Sequence, residues 1–348
     1  MKGRDSMLFC SSHTGFTTPD AETPVQLLYK ATDRFNQQMQ DIERRCSDPQ
    51  EAPEALLQAV ALAFDEVGSH FAVVEQVLQN DVQKIKAQQV EFRRRTHEYF
   101  SKSRLMHHAR TWPHGYEGDY EMLEAIYRNE PMSAGLGYYL DRHFLSNVLA
   151  EAVRNRKEFM RSLLAEELLK RKGPKILNLA SGSGREIEEL AGEIKASGAT
   201  VTCVDFDADA LQFSQKLFAA AGLLPGHASF RKYNVQKMVS RDRNRKEFGP
   251  QDVVYSIGLF DYLGDGMLVR LLGALYDLLA PGGKLIASFK DCTRYNHRYY
   301  QWMSDWSTFF QRTEEQCRTL FDHAGIPTAS LALHRDGSGP IIFFIVSR

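Results

Sequence analysis

Much that would fix a location or a partner is missing from this sequence. Its five cysteines, Cys10, Cys46, Cys203, Cys292 and Cys317, are odd in number and scattered, with no CxxC pair. That argues against a disulfide framework and a structural zinc site, so no metal is expected and the thiols suit a reducing, cytoplasmic setting. A surplus of one charge is also missing: 43 Lys and Arg face 44 Asp and Glu, a formal net charge of -1. No global field recruits nucleic acid or an anionic membrane. No apolar run approaches the roughly 20 residues that span a bilayer, so stable membrane insertion is not expected. The opening MKGRDSMLFCSSHTGF lacks the apolar stretch of a signal peptide. What remains is ordinary globular composition, 43% hydrophobic and 25% charged over 348 residues, enough for two cores.

The pattern divides the chain near residue 172. Before it no strand is evident, and residues 1–104 read as a helical hairpin or bundle. Leu28, Ala31, Phe35, Met39 and Ile42 form one stripe at spacings of three and four, predicting a helix from Pro24 to about Arg45. After a turn around Pro49 and Pro53, Leu57, Val60, Phe64, Val67, Phe71, Val74 and Leu78 make a stricter seam. It serves either an intrachain bundle or a homodimer through these N-terminal helices. Arg93, Arg94 and Arg95 read as a solvated helix face. Residues 105–171 form an aromatic segment and a connecting helix. Over 105–143 its run LMHHARTWPHGYEGDYEMLEAIYRNEP (105–131) is broken by Pro113, Gly115 and Gly118, so it reads as a loop, either plugging the interface between the two halves or lying as a lid over a pocket.

From 172 to 348 strands and helices alternate. Strands are read at Lys175–Ala180, Thr200–Asp205, Ala228–Asn234, Asp252–Ile257 and Lys284–Phe289, with helical stretches between. That is an α/β, Rossmann-like sheet, mostly parallel. A capping box at Thr313 and Gln316 opens a late helix. Two last strands, near 330–336 and 341–347, are joined by a short turn and must be antiparallel.

The chemistry gathers behind the first strand. Gly182 and Gly184 let the backbone approach a ligand at the carboxyl edge of the sheet. Asp205 ends the second strand 23 residues after Gly182, where an acid accepts from ribose hydroxyls; its plainer task is to cap the next helix. Asn234 ends the third strand. A dinucleotide fingerprint wants a small residue where Ile187 stands, and Glu186, Glu188 and Glu189 would oppose a pyrophosphate at that helix start. A sulfonium cofactor tolerates them, which points to S-adenosylmethionine, with S-adenosylhomocysteine as product.

ILNLASGSG (176–184), TCVDFD (202–207), YNV (233–235), DVVYSIGLFDYL (252–263) and LLAPGGKLIASF (278–289) together resemble the class I S-adenosylmethionine-dependent methyltransferases over about half the chain. The resemblance implies that Ala180, Gly182 and Gly184 cradle the methionine part. It implies that Asp205 holds the ribose, Phe206 packs on adenine, Asn234 and Val235 flank it, and Ser256 and Gly258 line the floor beneath the methyl donor. Asn178 and Ala180 stand where the family often has an acid and a glycine. SRLMHHARTWPHGYEGDYEMLE (103–124) and SDWSTFFQRTEEQ (304–316) further resemble bacterial methyltransferases assigned to making 3-hydroxypalmitic acid methyl ester.

That narrower resemblance implies a small-molecule acceptor, a hydroxy fatty acid methylated on its carboxylate. A carboxylate is already ionised near neutral pH and needs alignment and an orienting donor rather than a strong base. Tyr116, Tyr262 and His297 are the candidates, with His297 as base should the acceptor be a hydroxyl. The run RYNHRYYQWMSDW (294–306) offers Tyr295, Tyr299, Tyr300 and Trp302 as apolar walls, and Arg294, His297 and Arg298 as anion contacts. An amine or protein acceptor, and a non-catalytic binding module, stay open beside the ester reading.

Overall fold

The computed structural model describes residues 22–348; Cys10 and the leader reading of the first sixteen residues fall outside them. Seven helices come first. Thr23 caps α1 (Pro24–Arg45) in a reciprocal box with Gln26, and Pro24 presets the first turn. The expected stripe of α1 is buried in full. α2 (Pro53–Val77) returns against α1, with Gln38 and Arg34 both reaching Glu66 and Arg45 reaching Glu51, an antiparallel pair. Its seam is Leu56, Val60, Ala63, Phe64, Val67, Phe71 and Val74. Leu56 rather than Leu57 faces inward, because 3.6 residues per turn drift from a strict heptad over this length. The seam is consumed within the chain: Phe64 meets Phe35, Phe100 and Phe144, and Phe71 stacks on Trp302 at 4.5 Å.

Among the described residues α2 alone is long and apolar enough to cross a bilayer. Asp65, Glu66 and His70 interrupt the run in the sequence. Here its inward face is core, and buried Glu75 accepts from the indole N–H of Trp302 at 2.8 Å.

The triple arginine of α3 (Val82–Phe100) is not one solvated face. Arg94 is exposed, but Arg93 donates to Gln301 O at 2.8 Å and pairs with Asp305 at 3.1 Å. Residues 105–143 are likewise more helical than their glycines and prolines suggest. They fold as α4 (Arg104–Thr111), α5 (Tyr120–Arg128) and most of α6 (Leu136–Leu145), and the irregular stretch before α5 is 112–119. Trp112 ends α4 in the left-handed region at φ 47°, and Asp119 caps α5 through Met122 N at 2.9 Å. Pro113, Gly115 and Gly118 therefore mark one short loop. The long α7 (Val148–Lys170) leads into the sheet.

The sheet holds β1 (Lys175–Leu179), β2 (Thr200–Asp205), β3 (Ala228–Lys232), β4 (Gln251–Ser256), β5 (Leu279–Lys290), β6 (Leu331–Arg335) and β7 (Ile341–Ser347) in the order β3-β2-β1-β4-β5-β7-β6. The first five are parallel and β7 runs antiparallel to both β5 and β6. β5 begins five residues before the expected strand, since Leu279 pairs with Gln251 across a bulge. The intervening helices are α8 (Arg185–Glu188), α9 (Ala191–Ser197), α10 (Ala208–Ala220), α11 (Arg241–Glu247), α12 (Asp265–Tyr276), α13 (His297–Ser304) and α14 (Glu314–His323). The helix expected over 185–196 is broken into two at Glu189–Leu190. The Thr313–Gln316 box does cap α14. One apolar cluster runs unbroken from Leu28 through the helices to Ile176, Val201 and Phe343 on one sheet face; a second fills the other face from Leu177 to Val346. The helical half and the sheet thus share a core.

Candidate functional site

The carboxyl ends of β1, β2 and β4 open into a cavity of about 310 Å³, at the low end of small-molecule sites. Its floor is Ala180 and Gly182 after β1, Asp205 and Phe206 at the end of β2, and Gly258, Leu259 and Tyr262 after β4. The roof is the 112–119 loop with Tyr120 and Leu123 of α5, and Thr308 closes one side. Ala180 and Gly182 turn through the left-handed region at φ 50° and 52°, which aims backbone groups rather than side chains at the space.

Asp205 is buried. It accepts from Gly182 N at 2.8 Å and Asp207 N at 3.1 Å. A carboxylate has about four acceptor sites, so two remain for hydroxyl donors. Burial, the largest cause, holds its pKa above the ordinary value against the pull of the Gly182, Asp207 and Phe206 N–H groups. Phe206, 53% exposed, stands at the lip with its ring edge-on to Tyr116 at 5.0 Å.

The roof loop is pinned to both rims by consecutive residues. Tyr116 donates to Asp207 Oδ2 at 2.8 Å, at the β2 end. Glu117 accepts from Thr308 N at 2.7 Å, on the side of β4 and β5. Behind Tyr120, His108 reaches both oxygens of buried Asp119 at 2.8 and 2.9 Å, and Tyr120 packs on Phe213. His114, Asp207 and Asp209 bring ligand atoms within 4.8 Å of one another. Asp207 is already engaged by Tyr116 and by Asp209 N, and the trio sits on the outer rim.

The structure therefore brings together Ala180, Gly182, Asp205, Phe206, Gly258, Tyr116 and Tyr262 from the residues read in the sequence. It does not bring the others to this wall. Gly184, at φ 61°, turns away, and a Cβ there would lie 2.9 Å from Phe218 Cζ. Ser256 is fully buried and donates to Leu179 O at 2.8 Å. Val235 belongs to the core of the second sheet face, and exposed Asn234 caps the turn after β3 through Gln236 N at 2.9 Å. His297 starts α13 and lines a separate polar groove of about 330 Å³ with Gly68, Phe71 and Arg298. Arg298 is spent on Glu75, and Trp302 is core.

Asn178, where an acid was looked for, donates to Glu186 Oε1 at 3.2 Å; the same oxygen accepts from Tyr255 at 2.7 Å. Glu186 of α8 thus brings a buried acid against β1 and β4. Reading the sequence also passes over three groups. Glu117 and Trp112 line the cavity, and buried Arg156 of α7 lies beneath Gly258, its Nη1 3.8 Å from where a Cβ on that glycine would be. Nothing in their spacing separates them from neighbouring acids, aromatics and helix arginines.

Beside this cavity lies another, about 60 Å³ and almost wholly apolar. Its walls are Leu105, Met106 and Ala109 of α4, Met122 and Ile126 of α5, Leu149 and Val153 of α7, and Tyr299, Tyr300 and Met303 of α13, with Trp306 beyond. The second aromatic segment meets aliphatic residues of the first here, whereas Trp112, Tyr116 and Tyr120 of the first line the cofactor cavity. Asn147 Nδ2 and Trp306 Nε1 are buried at or near it without partners. A small apolar cluster of Leu149, Tyr262, Tyr300, Trp306 and Phe309 stands between the cavities.

The parallel sheet, the left-handed turn after β1 and the acid closing β2 fit an S-adenosylmethionine-dependent methyltransferase domain. The turn leaves room, Asp205 keeps free lone pairs, and Phe206 offers an open ring, so the residues fit that cofactor.

Residues 176–283 match the family described as a methyltransferase domain. A solved structure described as a possible exported protein from Bordetella parapertussis is 17% identical, covers 94% of this chain and 97% of its own, and superposes with a TM-score of 0.56. It shares the fold across the helical half as well. An O-methyltransferase family protein from Burkholderia thailandensis is 16% identical over 60% of this chain and 62% of its own, TM-score 0.43. Magnesium protoporphyrin IX methyltransferase from Synechocystis PCC 6803, solved with bound cofactor, is 14% identical over 57% and 83%, TM-score 0.41. No curated protein matches the sequence.

Proposed function

We propose that this methyltransferase acts on a carboxylate oxygen of a small, largely apolar acid, a hydroxy fatty acid being the class the sequence resemblance implies. The observation that carries the reading is the apolar cavity beside the cofactor site. Sixty cubic ångströms is several times the ~10–15 Å³ that one water needs, yet the wall offers water few partners. A dry, narrow slot suits the apolar part of a small molecule and excludes a folded protein or a nucleic-acid base. The roof loop points the same way, since a cavity shut by α4, α5 and their linker admits small acceptors.

In this reading the bound cofactor supplies an electrophilic methyl group. The chain orients the acceptor oxygen toward it, dehydrates it and holds its counter-oxygen. Tyr262 is placed for that work. Its hydroxyl lies 3.2 Å from where a Cβ on Gly118 would be, and burial holds its pKa well above the ordinary tyrosine value, so it stays a donor. A pairing of two chains through the N-terminal helices would have to use the outward Leu62, Val73 and Val77, since the seam itself is filled.

The test is transfer from cofactor labelled on its methyl group, with purified protein and a host-cell lysate. Base-labile label in an organic extract is the expected result. Label in the water layer or in precipitated polymer would overturn the acid reading and leave the methyltransferase.

A further inference from the structure

The cofactor cavity contains a carboxyl group that nothing around it neutralises. Glu117 is 4% exposed and lines the cavity. Its Oε1 accepts from both the backbone N–H and the hydroxyl of Thr308. Its Oε2 is buried and has no partner among the described residues. Lys290 of β5 attracts it from a distance but is bound to Asp261 at 2.8 Å, and Asp305 after α13 repels it. The neighbouring Tyr262 is neutral, and buried Arg156 of α7 lies beneath Gly258. Burial, the largest cause, raises the Glu117 pKa against the pull of the two Thr308 donors and of Lys290. A carboxyl group taken out of water without a contacting cation neutralises by keeping its proton.

The position of that proton follows from the hydrogen bonds. Oε1 is already an acceptor twice over, so the proton belongs on Oε2, the oxygen left free. Glu117 lies on the Thr308 side of the cavity and Tyr116 on the Asp207 side. Asp205 and Phe206 mark the nucleoside end, so Glu117 sits at the other end, with Tyr262.

We propose that Glu117 remains protonated and that its Oε2–H donates to one carboxylate oxygen of the methyl acceptor, Tyr262 being the second donor. This rests on the acid reading above. The free acceptor oxygen forms its bond to the methyl carbon as the carbon–sulfur bond breaks and the electron pair goes to sulfur. The acceptor's negative charge cancels the sulfonium's positive charge, and Glu117 keeps its proton throughout. An ionised Glu117 would repel the same acceptor, so a base role and this role exclude each other.

Two arms test it. First, infrared spectra of the full protein with S-adenosylhomocysteine bound, at neutral pH, are expected to contain a neutral-carboxyl band that Glu117→Gln removes. Absence of that band overturns the proposal whatever the acceptor. Second, decanoate is offered with labelled cofactor across a pH series. Transfer is expected to fall as pH rises through the raised Glu117 value. Glu117→Gln, whose amide still donates but does not titrate, is expected to abolish that alkaline limb while staying within about threefold of wild type at low pH. Glu117→Ala is expected to lose roughly 10–100-fold in kcat/KM for decanoate, one hydrogen bond to a charged group, with S-adenosylhomocysteine affinity unchanged. Activity that rises with pH and vanishes in Glu117→Gln makes Glu117 a base and refutes the idea. Lost homocysteine-product affinity with an unchanged decanoate KM places the donor on the cofactor's own carboxylate and refutes it too. A neutral band with no ester from decanoate or longer acids discards the acid reading, and the acceptor contact with it.

Discussion

Removing one oxygen atom from the roof loop tests whether that loop gates the cofactor. Tyr116→Phe deletes the hydroxyl that donates to Asp207 Oδ2 at 2.8 Å and leaves the ring edge-on to Phe206 at 5.0 Å. Asp207 is 11% exposed, so water competes only partly for its oxygens. A hydrogen bond to a charged acceptor is worth about 1.5–3 kcal/mol. The Glu117–Thr308 contact at the far rim is untouched, so the loss falls on opening at the nucleoside end. At about 1.4 kcal/mol per decade, dissociation of S-adenosylhomocysteine should quicken roughly 10–100-fold. Stopped-flow displacement of the bound product by excess cofactor measures it directly. Thermal stability of the free protein should change little, because the bond lies at the edge of the fold. An off-rate within twofold of wild type would refute the argument, since it would mean the ligand leaves by a route the Tyr116–Asp207 bond does not close.

Asp205→Ala should weaken S-adenosylhomocysteine binding roughly 10–100-fold by calorimetry, the loss of charge-assisted bonds to hydroxyl donors. Undiminished affinity would reduce Asp205 to a turn cap for Gly182 and Asp207. Glu186 is fully buried with its pKa raised chiefly by desolvation. A carboxyl group whose folded pKa is raised loses stability as pH climbs from its unfolded value through the folded one. Glu186→Gln should therefore gain stability relative to wild type as pH rises through that window, read from urea midpoints at stepped pH; a parallel pair of curves would contradict the burial argument. His297→Ala should leave methyl transfer within a factor of about three for any acceptor, since its groove against α2 is separate from the cofactor cavity. A hundredfold loss would require His297 itself to reach the acceptor.

The floor of the cavity was legible in the sequence because it is local. Ala180 and Gly182 follow β1 directly, Asp205 and Phe206 end β2, and Gly258 follows β4, so each is fixed by one strand and one turn. The same locality misled at Gly184 and Ser256. A glycine two residues on can serve helix packing, here the approach of Phe218, as well as a ligand. A serine at a strand end can point inward at Leu179 O, and strand period alone does not say which face is wet. Helices in the first half were legible where their apolar stripe is regular, as in α1, and illegible where helix caps interrupt composition. Trp112 and Asp119 frame a loop of eight residues that, read as texture, looked like forty.

The acceptor end is a different kind of object, and its residues explain why no spacing announces it. Glu117 comes from the roof loop, Arg156 from α7, Tyr262 from the turn after β4, Lys290 from β5 and Thr308 from beyond α13. Each is ordinary in its own neighbourhood. Lys290 answers Asp261, Arg156 resembles any helix arginine, and Glu117 is one acid among several in its run. Their meaning comes from burial, which depends on how α4, α5 and α7 close over the sheet, and burial is what turns an unremarked acid into a neutral donor. The helical half thus does more than add mass to a cofactor domain. It supplies the roof, the apolar slot and the buried carboxyl group of Glu117. If the acceptor lies in that slot, exchanging residues of 104–128 should alter the acceptor while leaving the Asp205 end of the site intact.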